Sequence, residues 1–264
     1  MITQCNSDDI HVILAYIGNN YKHCLYLYVN LLKYGANSNN VKVYTQKNNE
    51  NITAVILTYY SCLHIYSALG DFDENEVIKL FFDNSLTMVY CTRMTAEKIW
   101  KSWPKSNRAI ISYGWVAQIT KVDKPDLERT TLAKADDFQQ IVQLIYNDED
   151  IGKSYDYKGL SQQLIERVKE GFARNLVIKD NNLVVAHACT NAEVGNIAIA
   201  AELIVRKEYR QQGFATDIWR NICSQLLFEG KEVYSFYYSK ESQSLHKKIG
   251  FFEVCEWAKI VIEG

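Results

Sequence analysis

The stretch Arg210-Gln211-Gln212-Gly213-Phe214-Ala215-Thr216 joins an apolar run ending at Val205 to a helical pattern that begins near Ala215. A small residue at such a junction suits one kind of chemistry. The first backbone N–H groups of a helix have no acceptor inside it, and the helix dipole adds partial positive charge at the same end. Gly213 removes a side chain where a phosphate must come close, Ala215 stays small beside it, and Arg210 adds a cation, so the stretch can cradle a pyrophosphate. An ordinary strand-to-helix turn would carry the same glycine, so the string gains meaning only from its surroundings. Outside the loop, two side chains are of types that can exchange protons. Glu202 interrupts the apolar run before the loop, and His246 lies in Ser244-Leu245-His246-Lys247-Lys248-Ile249-Gly250-Phe251. A third, His187, lies on the preceding apolar run and reads either as a pocket wall or as a satisfied core histidine. The seven cysteines are far apart and form no Cys-x-x-Cys pair, so no metal site is expected. They read as reduced, mostly buried thiols of a cytoplasmic protein.

The elements that must position these residues can be read from periodicity. Thr130–Ala133 is a short strand, and Asp136 and Asp137 cap a helix with Phe138, Ile141, Val142 and Ile145 at i, i+3, i+4, i+7. A second helix carries Leu160, Leu164, Ile165, Val168 and Phe172. The loop between them holds Tyr155 and Tyr157. Leu176–Lys179 and Leu183–Thr190 are strands across an Asp180-Asn181-Asn182 turn. Ile197–Val205 is a strand, and a helix with Ile218, Trp219, Ile222, Cys223, Leu226 and Leu227 on one face follows, ended by Gly230. Val233–Tyr238 is a strand, Glu241–Ile249 a short helix stopped by Gly250, and Phe251–Ile262 a last strand.

The first half has a weaker version of this order. Helices over Asp9–Ile17 and Tyr21–Tyr34 precede a strand pair, Val41–Gln46 and Ile52–Tyr60, joined by an Asn-rich turn. A helix pair followed by an Asn-turn hairpin in both halves suggests a duplicated architecture. Pro125, in a polar stretch after the apolar run Ala109–Ile119, marks a boundary between domains 1–124 and 125–264. In the first half the stretch Leu69-Gly70-Asp71-Phe72-Asp73-Glu74-Asn75-Glu76 is acidic and unsuited to a phosphate.

Composition narrows the partners. The chain has 264 residues, 48% hydrophobic and 23% charged, with a formal net charge of -2, so it is globular without a bias toward nucleic acid or anionic membrane. Its start lacks a basic segment followed by an apolar core, and its most apolar stretch, Ala54 to Leu69, is too short and polar to span a bilayer.

Tyr209-Arg210-x-x-Gly213-x-Ala215 at a strand end resembles the acyl-CoA loop of the GCN5-related N-acetyltransferase (GNAT) superfamily. Residues 244–251 resemble the family segment in which a tyrosine stands four residues before a Gly-Phe pair, and the element order over 130–262 follows the family's order. The first half resembles a degenerate copy, as in tandem members. The resemblance implies an α/β (α+β) fold of two GNAT-like domains, each a mixed, mostly antiparallel sheet flanked by helices. It implies acetyl-CoA as cosubstrate, bound by the backbone of Leu203, Ile204 and Val205, by the loop from Arg210 through Gln211, Gln212, Gly213, Phe214 and Ala215 to Thr216, and by Ser239 and Ser242 on the next helix. An amine then attacks the thioester directly, with Glu202 as the best-placed base; the alternative for Glu202 is a surface glutamate at a strand edge. The family's tyrosine is His246 here. Two readings of it stand: a hydrogen-bond donor to the leaving sulfur, or a solvated helix histidine with activity low or lost. Ser239 replaces a frequent asparagine and can still cap its helix. The leading expectation is an acetyl-CoA-dependent N-acetyltransferase acting on a small-molecule amine. A non-catalytic acyl-CoA-binding or regulatory module and a peptide or protein N-acetyltransferase are the alternatives.

Overall fold

A computed structural model describes residues 1–36, 38–123, 129–149, 152 and 156–263. Contacts divide the chain into two compact units, 1–116 with 254–264, and 117–253. The expected boundary residue Pro125 lies outside the described residues, and the final residues cluster with the first unit rather than the second.

The first unit contains β1 (Ile2–Gln4), α1 (Ile10–Ile17), α2 (Leu25–Tyr34), β2 (Val41–Asn48), β3 (Asn51–Tyr59), β4 (Cys62–Tyr66), α3 (Glu74–Asp83), β5 (Met88–Cys91), α4 (Arg93–Lys101) and most of β6 (Ala109–Ile119). The second contains β7 (Thr131–Leu132), α5 (Phe138–Tyr146), α6 (Tyr157–Lys169), β8 (Asn175–Asp180), β9 (Leu183–Val194), β10 (Ile197–Val205), α7 (Phe214–Phe228), β11 (Glu232–Tyr237) and α8 (Lys240–Ile249). The last strand, β12 (Phe252–Ile262), pairs antiparallel with β5, Ala258 opposite Cys91, and completes the first unit's order β1-β2-β3-β4-β5-β12-β6. The second unit's order is β11-β10-β9-β8-β7.

In both units the strand pairs are mostly antiparallel, and each unit contains a parallel pair. In the first, β4 and β5 run parallel through Cys62↔Met88, Leu63↔Val89 and His64↔Tyr90. In the second, β10 and β11 run parallel through Ile197↔Glu232, Ala198↔Val233 and Ile199↔Tyr234. The hairpins preceding them also correspond. Asn49 and Glu50 turn β2 into β3, and Asn181 and Asn182 turn β8 into β9, all four with positive φ. Asparagine tolerates that conformation and the resulting turn matches the twist of the flanking strands. The duplication suggested by the sequence is therefore present in the backbone.

The helical stripes bury only in part: on α6 the expected Ile165 and Val168 are exposed, and Phe172 is buried beyond the helix end at Lys169. Ile141, Val142, Leu144 and Ile145 of α5 and Leu160 and Leu164 of α6 form one cluster with Val177, Val184 and Ile204 of the sheet. Helix α7 packs against β8 to β11 with Ile218, Trp219, Ile222, Cys223 and Leu226 buried. Each such aliphatic or aromatic side chain contributes about 1.5–3 kcal/mol when fully buried. One expected helix starts late: Gly18–Cys24 forms a tighter 3-10 turn, Cys24 leaves helical geometry, and the α-helix begins at Leu25 rather than Tyr21. Among the described residues no helix is long and apolar enough to cross a membrane.

Candidate active site

Strands β10 and β11 separate after Ile199↔Tyr234, so one edge of β10 from Ala200 onward has no strand partner. The opening is widened by a bulge. Between Ala201↔Cys189 and Ile204↔His187, β10 sets Glu202 and Leu203 against the single residue Ala188. Glu202 adopts φ +52, a left-handed conformation that costs a residue with a side chain about 1–3 kcal/mol. A cavity of about 680 Å³ fills the opening, walled by Leu203, Ile204 and Val205 on one side and Ser235, Phe236 and Tyr237 on the other.

The loop expected to hold phosphate lies at the mouth of this cavity. Arg210, Gln211, Gly213, Phe214, Ala215 and Thr216 line it. Gly213, with φ +87, is the N-cap of α7, and Gln211 also has positive φ (+63). The first helix N–H to find an acceptor here is that of Asp217, to Gly213 O at 3.0 Å, which leaves the preceding amides at the open end. A Cβ on Gly213 would meet only Asp217 Oδ2, at 3.8 Å, so space above the glycine is open for a ligand. The Arg210 side chain folds back and donates from Nε to Val205 O at 3.1 Å, with Nη2 3.8 Å from Asp148. Gln212 does not line the cavity. Its Nε2 donates to Glu208 O at 3.3 Å.

Glu202 lines the cavity with only 9% of its surface exposed. The Cys189 thiol donates to its Oε2 at 3.4 Å. Burial and the neighbouring carboxylate hold that thiol well above its ordinary pKa, so it stays protonated and remains a donor. His187 is fully buried, with Nε2 2.8 Å from Asn175 Oδ1, and burial lowers its pKa to about 3. It is a neutral core histidine and does not line the cavity.

His246 is buried on α8 together with Ile249, whereas its neighbour Leu245 is half-buried. Its Nδ1 lies 2.7 Å from Ser242 O, and a carbonyl only accepts, so Nδ1 carries the ring proton. Nε2, 2.9 Å from Ser235 Oγ, therefore accepts from that hydroxyl. Trp219, Tyr237 and Phe251 surround the ring with centroids 4.9–5.5 Å away. Burial lowers its pKa to about 4, opposed by the bond to the Ser242 carbonyl. His246 is neither solvated nor free to donate directly to a sulfur in this geometry. Its influence on the cavity passes through Ser235. Ser239 caps α8, accepting from Ser242 N at 3.1 Å, and both serines line the cavity.

The structure thus brings together Glu202, Leu203, Ile204, Val205, the loop except Gln212, Ser239, Ser242 and His246. Tyr155 lies outside the described residues. Tyr157 packs edge-on against Tyr146 at 5.5 Å and is absent from the wall. Sequence reasoning missed Ser235, Phe236 and Tyr237. Their run reads as a strand, and nothing in it signals that the strand diverges from β10.

The corresponding place in the first unit is closed. Asp73 caps α3 by accepting from the N–H groups of Asn75 (2.9 Å) and Glu76 (3.2 Å), the positions a phosphate would need. Lys98 donates to the carbonyls of Gly70 (3.0 Å) and Phe72, and pairs with Glu74 at 3.5 Å. The loop therefore turns carbonyl oxygens toward a cation instead of N–H groups toward an anion. The β3–β4 register runs without a bulge from Tyr59↔Cys62 to Val55↔Tyr66. Beside β4 and β5, His64 and Tyr90 stack at 5.5 Å, Tyr90 stacks on Trp257 at 5.6 Å, and Tyr26 packs on both His64 and Tyr90.

Among the described residues no group of three or more His, Cys, Asp or Glu is arranged to hold a metal ion. Residues 136–251 match the model of the Acetyltransferase (GNAT) family. None of the curated proteins matches the chain significantly. Solved structures resemble it along nearly its whole length. A GCN5-related N-acetyltransferase-like protein from Streptococcus suis has a TM-score of 0.65 at 11% identity, covering 97% of this chain and 99% of its own. A GCN5-related N-acetyltransferase from Sphaerobacter thermophilus also reaches 0.65, at 14% identity, covering 99% and 95%. A tandem GNAT protein from the clavulanic acid biosynthesis pathway has a TM-score of 0.58 at 10% identity, covering 100% and 98%. At these identities the likeness is one of fold.

Proposed function

Because residues 136–251 match the Acetyltransferase (GNAT) family model, we propose that this chain is an acetyl-CoA-dependent N-acetyltransferase acting on a primary amine of a small molecule. The observation that carries this reading is one continuous cavity. At its mouth are the open amides of α7, along its side is the stretch of β10 beyond its register with β11, and on its wall is a buried carboxylate. The residues fit the coenzyme: Gly213 leaves room for the pyrophosphate, and the β10 edge can pair with the amides of a pantetheine arm. Bound acetyl-CoA supplies the acyl group as a thioester.

The remaining work falls to side chains of this chain. Glu202 takes the proton of an ammonium acceptor, directly or through water, so that the neutral amine attacks. The Cys189 thiol steadies the carboxylate. The Leu203–Val205 edge orients the thioester carbonyl, and a strand N–H there stabilises its developing oxyanion. His246 is a positioning residue. It accepts the Ser235 O–H and so fixes that side chain on the cavity wall, while the leaving thiolate takes up the proton that the nitrogen loses as the amide forms.

The test is release of free coenzyme thiol from acetyl-CoA across a panel of primary amines. Turnover above background with at least one amine is expected. In Glu202→Gln it should fall about a hundredfold or more while coenzyme affinity is kept. A second reading is favoured by one observation, the engagement of both His246 ring nitrogens where the family's tyrosine would stand. On that reading the chain binds acyl-CoA without transferring it. Tight binding with no turnover on any amine would select it.

A further inference from the structure

The loop carries an acid that is at odds with a polyanionic ligand. Asp217 lies in the first turn of α7, and its Oδ2 is 3.8 Å from where a Gly213 Cβ would stand. A carboxylate there favours the helix dipole, yet it repels any phosphate that approaches the same amides. Arg129 resolves the conflict. Its Nη1 binds Asp217 Oδ2 at 2.8 Å, and its guanidinium carbon sits 4.8 Å over the ring of Phe214, a residue of the loop itself. These two contacts pin a planar cation beside the loop, with the side chain 45% exposed. A guanidinium has five N–H donors in a fixed fork, and the ion pair uses one of its nitrogens.

Resting on the coenzyme reading above, we propose that Arg129 completes the anion site of the second unit: it neutralises Asp217 and donates from its outward face to a phosphate of the coenzyme. Arg129 precedes β7 and lies outside the segment that matches the family model, so no motif includes it. The phosphate is one of two, the pyrophosphate or the ribose 3′-phosphate, and both present the same chemistry to a guanidinium.

Calorimetric titration with coenzyme A, dephospho-coenzyme A and acetyl-pantetheine tests this on the full chain. Arg129→Met should weaken coenzyme A binding about tenfold, and less at high salt. An equal loss for dephospho-coenzyme A assigns the contact to the pyrophosphate. A loss confined to coenzyme A assigns it to the 3′-phosphate. Adding Asp217→Asn to Arg129→Met should restore part of the affinity by removing the uncompensated carboxylate. Unchanged affinity in Arg129→Met overturns the proposal, as does the same loss for acetyl-pantetheine, which has no pyrophosphate or ribose phosphate. Arg129→Gln is the substitute should the methionine variant fail to fold. Absence of coenzyme A binding by the unmodified chain defeats the coenzyme reading itself. Binding without dependence on Arg129 defeats only this inference.

Discussion

Replacing Gly213 by aspartate separates the loop's conformation from its electrostatics. The glycine has φ +87, where an L-residue costs about 1 kcal/mol, with asparagine and aspartate the best tolerated. Nothing but Asp217 Oδ2 lies within 4 Å of the new Cβ, so the change does not jam the fold. The cost falls on the ligand. A carboxylate about 5 Å from each of two pyrophosphate charges, at an effective dielectric of about 40, adds roughly 3 kcal/mol of repulsion, or about a hundredfold or more in affinity. Asparagine has the same shape without the charge, so Gly213→Asn should lose about tenfold or less. Calorimetric titration of coenzyme A into both variants, with melting temperatures as a control on folding, reads the difference. Should Gly213→Asp bind within about threefold of the unmodified chain, the loop is not where the pyrophosphate lies.

Two further outcomes follow from other parts of the chain. Coenzyme A should bind at one equivalent per chain, because Asp73 and Lys98 occupy the corresponding place in the first unit; two equivalents by equilibrium dialysis would contradict this. Stability should decline on acidification, since His187 and His246 are held neutral in the fold, at about 3 and about 4 against 6.5 unfolded. Below pH 6.5 the unfolded state binds the extra protons, so the stabilisation present above that pH is lost progressively toward pH 4, by about 3 kcal/mol for His246 alone. The urea midpoint should fall through that window, less steeply in His187→Gln, and a flat profile would contradict the assignment.

Much of the second unit can be read from sequence because its elements are bounded by strong local signals. Asn181-Asn182 turns the hairpin, Gly213 opens α7, Gly250 (φ +112) ends α8, and the stripes between them have clear periods. The first unit hides its middle. Strand β4 continues the apolar run of β3 across Tyr60-Ser61, where the chain turns through a tyrosine at φ +48 with no glycine, proline or asparagine to mark it. The site is legible as a list of residues and illegible as chemistry. A left-handed glutamate at 202 has no sequence signature, and the roles of the two His246 ring nitrogens are set by Ser235 and Ser242, of which the sequence does not show that Ser235 is in reach. Arg129 reaches the loop through tertiary structure alone.

The position of β12 governs the order in which the chain can assemble. The second unit is one contiguous segment, and its pairings join strands that are consecutive in the chain. The first unit cannot close its sheet from its own segment, because the strand beside β5 is β12, with the whole second unit interposed. Closing that long loop is entropically slow, and it shortens once the intervening residues are compact. The half of the chain made first is thus finished last. A substitution that delays folding of the second unit leaves the edge of β5 unpaired, so its damage is felt in the half that does not contain it.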